Sequence, residues 1–260
     1  MKIIDYLKAM AKRSRILFHV YIKYFWRPRR YTLIHELHQL TKNNALTTCL
    51  QIGANDGRVN DPIFRLIHKN EWNVAFVEPQ THVFKILKDI TYRGNPRHLY
   101  FNCAISDKNG LRPFYSIGFS EKRWAHGLSS FLEDSLIKAY DSGYVERCAK
   151  LNGETVPENS EDLIKKSMVQ CRTFDDVLDE YEDKFNDKLN LLLIDTEGFD
   201  YQIIKLFPFN RIRPSIIVYE HHHLSNEEYK ESKELLQKYN YQLKVLGNDT
   251  LAFTERDVLH

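Results

Sequence analysis

The feature that most constrains the fold is an alternation of short β-rich runs with helical patterns, which begins near residue 47. Such alternation is typical of βα units, whose strands lie parallel in one sheet. We therefore predict an α/β fold with a mostly parallel sheet. The predicted strands cover residues 47–52, 72–77, 99–105, 169–173, 177–181, 189–194 and 215–219.

Helix and turn signals fill the intervals between these strands. Residues 60–62, Asn-Asp-Pro, offer a cap and a proline suited to the first position of a helix. Thr81 is placed to cap a second helix, and residues 225–228 have the spacing of a capping box. Residues 241–246 and 250–253 are predicted to form a closing antiparallel hairpin, because a Gly-Asn-Asp turn joins them.

Residues 118–168 interrupt the alternation with a small-residue turn and mixed amphipathic helix patterns. We predict a helical insertion here that covers the substrate side of the sheet. The chain is then divided into a basic, aromatic-rich helical extension at 1–44 and an α/β domain at 45–260 that carries the insertion.

Basic charge is concentrated in the extension. The net charge is only +2, but residues 1–30 contain nine Lys or Arg and one acid. An anionic membrane surface, a nucleic acid or an acidic protein would each match this charge; we expect no nucleic acid. Because aromatic side chains lie among the charges, we predict peripheral membrane contact. The alternative is a helix packed on the main domain with its charges in water.

Cysteine usage and hydropathy indicate a cytoplasmic protein, which the basic extension would hold at the inner face of a membrane. The four cysteines show no C-x-x-C spacing, so we expect reduced thiols and no metal bound by cysteine. The apolar stretch at 16–26 is about half of a membrane span, and His19 and Lys23 interrupt it.

A glycine-rich turn at 53–57, Gly-Ala-Asn-Asp-Gly, follows the first predicted strand. Glycine there lets the backbone approach a small ligand closely. About 20 residues on, Glu78 ends the second strand, where a carboxylate can accept hydrogen bonds from both hydroxyls of an adenosine ribose. Asn55 replaces the middle glycine of a dinucleotide motif and Asp56 adds negative charge, which disfavours a bound phosphate. A purely structural turn is the alternative.

Acidic residues also follow the strongest predicted strand. Asp195 and Glu197 stand in an Asp-Thr-Glu-Gly sequence at its carboxyl end, the edge at which open α/β sheets bind ligands. They can act as a base or hold an ammonium group, a hydroxyl or a divalent ion. Three histidines at 221–223 follow the next strand, and one of them is a further candidate base. The alternatives are helix-capping acids and surface histidines; a metal-binding histidine triplet is less favoured, and we assign no metal ligands.

These segments resemble the FkbM family of methyltransferases over roughly residues 45–255, in the family's order. The Asp-x-Glu-Gly element and the terminal hairpin are the most specific part. The matching segments are QIGANDG at 51–57, VEP at 77–79, NCAISD at 102–107, LSS at 128–130, LIDTEG at 193–198 and NDTLAF at 248–253.

The resemblance implies a Rossmann-like, class I methyltransferase with a seven-stranded sheet and S-adenosylmethionine as cofactor. It further implies O-methylation, often of a sugar, glycan or other polyhydroxylated metabolite. The alternatives are a nucleotide-dependent oxidoreductase and a non-catalytic adaptor with this fold. The catalytic candidates are Asp195, Glu197 and His221, with Arg123 and His126 as weaker substrate contacts. The cofactor-binding candidates are Gly53, Ala54, Asn55, Asp56, Gly57, Glu78, Pro79, Ala104, Ile105 and Asp195.

Overall fold

A seven-stranded sheet forms the centre of the molecule. In the computed structural model, which describes residues 14–42, 47–159, 162–186 and 188–254, the strand order of this sheet is β3-β2-β1-β7-β8-β10-β9. Its strands are β1 (Thr48–Ile52), β2 (Asn73–Val77), β3 (Leu99–Phe101), β7 (Leu191–Ile194), β8 (Ile216–Glu220), β9 (Gln242–Leu246) and β10 (Asp249–Phe253).

Five neighbouring strands, from β3 to β8, pair in parallel. The last two strands pair antiparallel to each other, and β10 also pairs antiparallel to β8. This arrangement confirms the predicted Rossmann-like sheet and its closing hairpin. Because β1 lies between β2 and β7, the carboxyl ends of these three strands meet at one edge of the sheet.

Helices cover both faces of the sheet. The helices are α1 (Arg15–Val20, continued as a π-helix at Tyr21–Phe25), α2 (Leu33–Leu40), α3 (Phe64–Asn70), α4 (Thr81–Lys85, continued as a π-helix at Ile86–Thr91), α5 (Arg123–His126), α6 (Glu133–Asp141), α7 (Tyr144–Leu151), α8 (Phe174–Phe185), α9 (Asp200–Leu206) and α10 (Asn226–Lys238). Within β1, Leu50 and Ile52 point into one core and Cys49 into the other. The strands are therefore buried on both faces, as parallel strands between helices must be.

The described part of the N-terminal extension packs on the sheet. Ile22, Trp26 and Leu37 are buried in the same core as Cys49 of β1. The ammonium of Lys69 also donates to the carbonyl oxygen of Lys23 at 3.0 Å. Residues 1–13, which hold four of the nine Lys or Arg of residues 1–30, lie outside the described residues. Among those described, no helix is long and apolar enough to cross a membrane.

Two predicted strands are wrong in detail. Residues 177–181 belong to α8, in which Thr173 caps the helix by accepting from the backbone N–H of Asp176 at 3.3 Å. Val177, Leu178 and Tyr181 are all buried with the spacing of one helix face. The prediction of a strand at 177–181 is therefore wrong, because so short a segment fits either periodicity. Residues 99–105 form two strands that enter different sheets, with β3 in the main sheet.

A second, three-stranded sheet frames the predicted insertion. It consists of β4 (Ala104–Ile105), β6 (Ile164–Arg172) and β5 (Gly110–Ile117), in that order. β5 and β6 pair antiparallel along their whole length, so the chain between them leaves and returns at one place. Helices α5 to α7 fill this interval.

Gly53 is required by a close approach between neighbouring strands. Its φ is +78°, and a Cβ there would overlap the carbonyl oxygen of Asp195. Gly153 has a similar φ of +69° with nothing near the position of a Cβ. Gly153→Ala should therefore cost only the backbone penalty of about 1–2 kcal/mol. Gly53→Ala should cost about 1–3 kcal/mol more from overpacking, as urea unfolding will show. Equal losses would contradict the assigned contact.

Candidate active site

The glycine bend is held against the end of β2. The backbone N–H groups of Gly53 and Ala54 donate to the carbonyl oxygen of Val77 at 3.0 and 3.1 Å. The next N–H, of Asn55, donates to Oε2 of Glu78 at 2.8 Å. Three successive donors thus point at one strand end, and this fixes the bend beside the Glu78 carboxylate.

Glu78 is 2% exposed and faces the bend. Its other oxygen, Oε1, accepts from the backbone N–H of Gln80 at 2.8 Å. Burial raises the pKa of Glu78 to about 7, although both backbone bonds favour the carboxylate. Each oxygen keeps a further lone pair, so the group can still accept from a ligand hydroxyl.

A cleft of about 670 Å³, including its open mouth, lies over the bend and the Glu78 carboxylate. Glu78 and Gln80 supply its polar part, while Ala104, Ile105 and Phe114 supply an apolar part. We call it the cofactor cleft. Of the predicted cofactor residues, Gly53, Asn55, Glu78, Pro79, Ala104, Ile105 and Asp195 line it.

Asp56 and Gly57 line neither this cleft nor the second one described below. The Asp56 carboxylate accepts from the backbone N–H groups of Arg58 and Val59, both at 3.0 Å. A Cβ on Gly57 would overlap the side chain of Leu87. Both residues therefore shape the bend from behind.

The end of β7 is fixed by Asp200, which is fully buried. Its Oδ2 accepts from the hydroxyl of Thr196 at 2.9 Å, and its Oδ1 accepts from the backbone N–H of Glu220 at 3.2 Å. Burial raises the pKa of Asp200 to about 7. One side chain thus ties the loop after β7 to the end of β8.

Asp195 and Glu197 both line the cofactor cleft. The Asp195 side chain is exposed to the cleft. Partial removal of water from its carboxylate, and the nearby Asp61 carboxylate, both raise the pKa of Asp195. Burial and the Asp195 charge also raise the pKa of Glu197, which has a left-handed φ of +52°. The hydroxyl of Ser130 donates to the carbonyl oxygen of Glu197 at 3.1 Å. This hydrogen bond holds the LSS segment at 128–130 beside the loop after β7.

The histidine nearest these acids is His223. Its Nε2 lies 3.3 Å from Oε2 of Glu197 and 3.6 Å from Oε2 of Glu220. Burial lowers the pKa of His223, and burial also raises that of Glu220 to about 8. His221, the predicted catalytic histidine, instead stacks on Tyr229 and hydrogen-bonds through Nδ1 with the hydroxyl of Thr250 at 3.1 Å.

A second cleft opens beside the cofactor cleft and encloses about 2190 Å³, including its mouth. His222 and His223 line it and His221 does not, because the turn after β8 directs successive side chains apart. Sequence reasoning missed Glu220, although the rule that acids at strand ends mark a site applies to it as well as to Asp195.

The two clefts share part of their walls. Gly53, Asn55, Asp195 and Glu197 line both of them. We call the second cleft the acceptor cleft, since any molecule in it would meet a ligand of the cofactor cleft at these residues.

The insertion closes this junction through Arg123 and His126. Arg123 lines both clefts and His126 lines the cofactor cleft. The guanidinium of Arg123 lies 3.4 Å from the Asp56 carboxylate and donates to the carbonyl oxygen of Val59 at 2.6 Å. The imidazoles of His126 and His82 are 3.1 Å apart at their closest nitrogens.

The sheet order, the glycine bend and the acids at neighbouring strand ends define a Rossmann-like methyltransferase. The model of the FkbM methyltransferase domain matches residues 51–243. The chain therefore belongs to the FkbM family of methyltransferases. No curated protein matches the sequence significantly.

Two solved structures are similar to the chain. The methyltransferase FkbM from Methylobacillus flagellatus has a TM-score of 0.47 at 12% identity, over 95% of this chain and 57% of that one. An O-methyltransferase from Bacillus cereus, in complex with SAH, has a TM-score of 0.40 at 11% identity, over 96% of this chain and 90% of that one. The chain thus spans little more than half of the first structure.

Glu78 should make stability depend on pH. Its pKa of about 7 exceeds the ordinary value of 4.5, so the folded protein keeps a proton that the unfolded chain releases. The wild type should therefore lose stability as pH rises through this window, by up to about 3 kcal/mol. We expect urea unfolding to show this loss relative to Glu78→Gln between about pH 5 and about pH 8.

The exposed Glu227 on α10 provides the control. Glu227→Gln removes a carboxylate without removing a buried one, so it should keep the pH dependence of the wild type. If Glu78→Gln shows the same pH dependence as well, Glu78 is ionised throughout this range in the folded protein.

Proposed function

We propose that this chain is an S-adenosylmethionine-dependent O-methyltransferase that acts on a hydroxyl of a sugar, a glycan or another polyhydroxylated metabolite. The observation that carries the proposal is the shared wall of the two clefts at Gly53, Asn55, Asp195 and Glu197. A donor on one side and an acceptor on the other would face each other there.

The residues of the cofactor cleft suit S-adenosylmethionine. Gly53 lines the cleft without a side chain, so a ligand can approach its backbone closely. Glu78 would accept hydrogen bonds from the ribose hydroxyls. The small side chain of Ala104 and the apolar one of Ile105 would lie against the adenine. The acid at Asp195 would receive the ammonium group of the methionine part.

A dinucleotide suits the cleft less well. Pyrophosphate sites place the phosphates at the N-terminus of the helix that follows the glycine turn. Here α3 begins only at Phe64, seven residues after Gly57. Asp56 also adds negative charge at the turn. These features favour a cofactor without phosphate over a dinucleotide, and so favour the methyltransferase over the oxidoreductase.

The acceptor cleft combines hydrogen-bonding groups with aromatic walls. Acids line its floor, and Trp124 and Tyr144 line its sides. Sugar hydroxyls pair well with carboxylates, and the apolar faces of a sugar ring pack on aromatic rings. Its size would also admit more than a single small molecule. These properties support a polyhydroxylated acceptor.

S-adenosylmethionine, when bound, supplies a methyl group that its sulfonium already makes electrophilic. The protein must then align an acceptor oxygen with it, which contributes about 7–11 kcal/mol at best. Asp195 lies at the shared wall and takes the proton that the acceptor hydroxyl loses as its oxygen is methylated. Removal of this proton contributes less, about 10²–10⁴-fold in rate.

The cofactor assignment is tested by the affinity for S-adenosylhomocysteine. Glu78→Ala removes hydrogen bonds to a charged acceptor, each contributing about 1.5–3 kcal/mol, so affinity should fall at least tenfold by calorimetry. Glu71→Ala, before the other end of β2, is the control and should bind as the wild type does. A wild type that binds no S-adenosylhomocysteine would favour the non-catalytic adaptor, and one that binds NAD instead would favour the oxidoreductase.

The role of Asp195 is tested by a nearly isosteric change. Asp195→Asn should lower the rate of methyl transfer to a responsive glycan or polyol by about 10²–10⁴-fold. Asp195→Asn also removes the charged partner proposed for the ammonium group, so affinity for S-adenosylhomocysteine should fall by about tenfold or more, and only the rate at donor saturation reports the loss of the base. Transfer is measured with radiolabelled donor at saturation, and His221→Ala serves as the comparison. An equal loss of rate in both variants would reject this choice of base.

Contact of the N-terminal extension with a membrane stays a prediction. Exposed aromatic side chains support it, since Tyr24 and Tyr31 are 62% and 87% exposed beside the basic Arg29 and Arg30. The burial of Ile22 and Trp26 nearby supports the packed helix. The two views are compatible, because one face of a helix can pack while the other stays exposed.

A further inference from the structure

Three metal-ligating side chains converge on the acceptor side of the shared wall. They are Glu197 from the loop after β7, Glu220 from the end of β8 and His223 from the loop after β8. One ligand atom from each lies within 4.8 Å of the other two. The closest pairs are 3.3 Å and 3.6 Å apart, from the imidazole to each carboxylate.

We propose that Glu197, Glu220 and His223 bind a divalent transition-metal ion, Mn²⁺ or Zn²⁺. Ligand atoms at about 2.0–2.2 Å from such an ion are separated by about 3–3.5 Å from one another. The two distances from the imidazole to the carboxylates are close to this range, and the carboxylate oxygens lie within 4.8 Å of each other, so side-chain adjustments would complete the site. Two carboxylates with one imidazole suit these ions better than Ca²⁺, which prefers oxygen ligands alone.

The fold brings the three groups together in a specific way. Asp200 ties the loop of Glu197 to the backbone of Glu220. Gly198, which follows Glu197, has a φ of +98°, a conformation that other residues rarely adopt. A Cβ there would lie 3.4 Å from the Cβ of His223, so the loop after β7 and the loop after β8 are in contact at this point.

The acceptor cleft has an excess of acidic over basic side chains, which favours the binding of a cation. Five carboxylates line it, against the three basic chains of Arg123, Lys138 and Arg147. Arg123 is engaged with Asp56, and Arg147 donates to the carbonyl oxygen of Ser142. The five acids are Asp61, Asp195, Glu197, Glu220 and Asp249.

An independent observation also indicates a polar occupant of this cleft. Gln51 lines the cleft and is 3% exposed. Its Nε2 donates to the carboxylate of Asp61, but its Oε1 has no hydrogen-bond partner among the described residues. A buried acceptor without a partner is costly, and a rotation of Gln51 toward a ligand that brings hydrogen-bond donors, such as a hydroxyl or metal-bound water, would satisfy it.

The metal site depends on the proposed function only for the role that the ion would have in methyl transfer. An ion held by the trio would bind acceptor hydroxyls on the acceptor side of Asp195 and make their protons easier to remove. The binding of the ion itself is a property of these three side chains and is measured without any transfer reaction.

Metal binding is tested with metal-free full-length protein and MnCl₂, following free Mn²⁺ by electron paramagnetic resonance. We expect one saturable site per chain. Glu220→Gln and His223→Ala should each weaken it at least tenfold, and His223→Gln serves if the alanine variant does not fold. His222→Ala, the neighbour outside the trio, should bind within twofold of the wild type. Zn²⁺ should compete with Mn²⁺ for the same site.

Two results would overturn the metal site. One is the absence of saturable binding by the wild type, and the other is equal affinity in the wild type and in Glu220→Gln. Calorimetry with S-adenosylhomocysteine on the same samples separates the two proposals. Loss of the cofactor interaction with an intact metal site rejects the proposed function, whereas cofactor binding without a metal site rejects only the metal assignment.

Discussion

The hydrogen bond from the backbone of Asn55 to the Glu78 carboxylate is the interaction on which the site depends. It joins the bend after β1 to the end of β2 at 2.8 Å, and it does so from inside the protein. A buried carboxylate is costly unless backbone donors satisfy it, and the N–H groups of Asn55 and Gln80 do so here. The same carboxylate that fixes the bend therefore remains available to a ligand, so structure and recognition use one group.

Parallel pairing of the strands brings further acidic side chains to the same edge of the sheet as Glu78. The strands β2, β1, β7 and β8 all end at the same edge, which brings Glu78, Asp195 and Glu220 into one region. Burial raises the pKa of each of them, and neighbouring carboxylates raise those of Asp195 and Glu220 further. A fold that only needed stability would place apolar or neutral groups there. Concentrated acids at one edge are instead typical of a site whose ligands restore the balance.

The sequence predicted those parts of the site that depend on short segments. The bend at 53–57 and Glu78 are predictable because a strand, a glycine turn and a second strand follow one another within about 30 residues. The capping box at Ser225 and the closing hairpin were local in the same sense. Signals of this kind need no knowledge of the tertiary arrangement.

The remaining parts depend on how distant segments meet. Glu220 lies near Glu197 only because β8 pairs with β7 and Asp200 joins their ends. Three consecutive histidines are indistinguishable in sequence, and it is the turn after β8 that directs His223 toward the acids and His221 toward Thr250. The sequence at 177–181 favours a strand only because five residues are too few to distinguish the two-residue repeat of a strand from the 3.6-residue repeat of a helix.

The insertion is attached to the loops that carry the site residues at the edge of the sheet. It is tied to that edge at three places, by Arg123 to Asp56, by Ser130 to the backbone of Glu197 and by Gln80 to the backbone of His126. Each tie reaches a different loop: the bend after β1, the loop after β7 and the segment after β2. Residues of the insertion also line both clefts, Arg123 among them. A shift of any one of these loops would therefore move the insertion, and through it the shape of the cofactor cleft is coupled to that of the acceptor cleft.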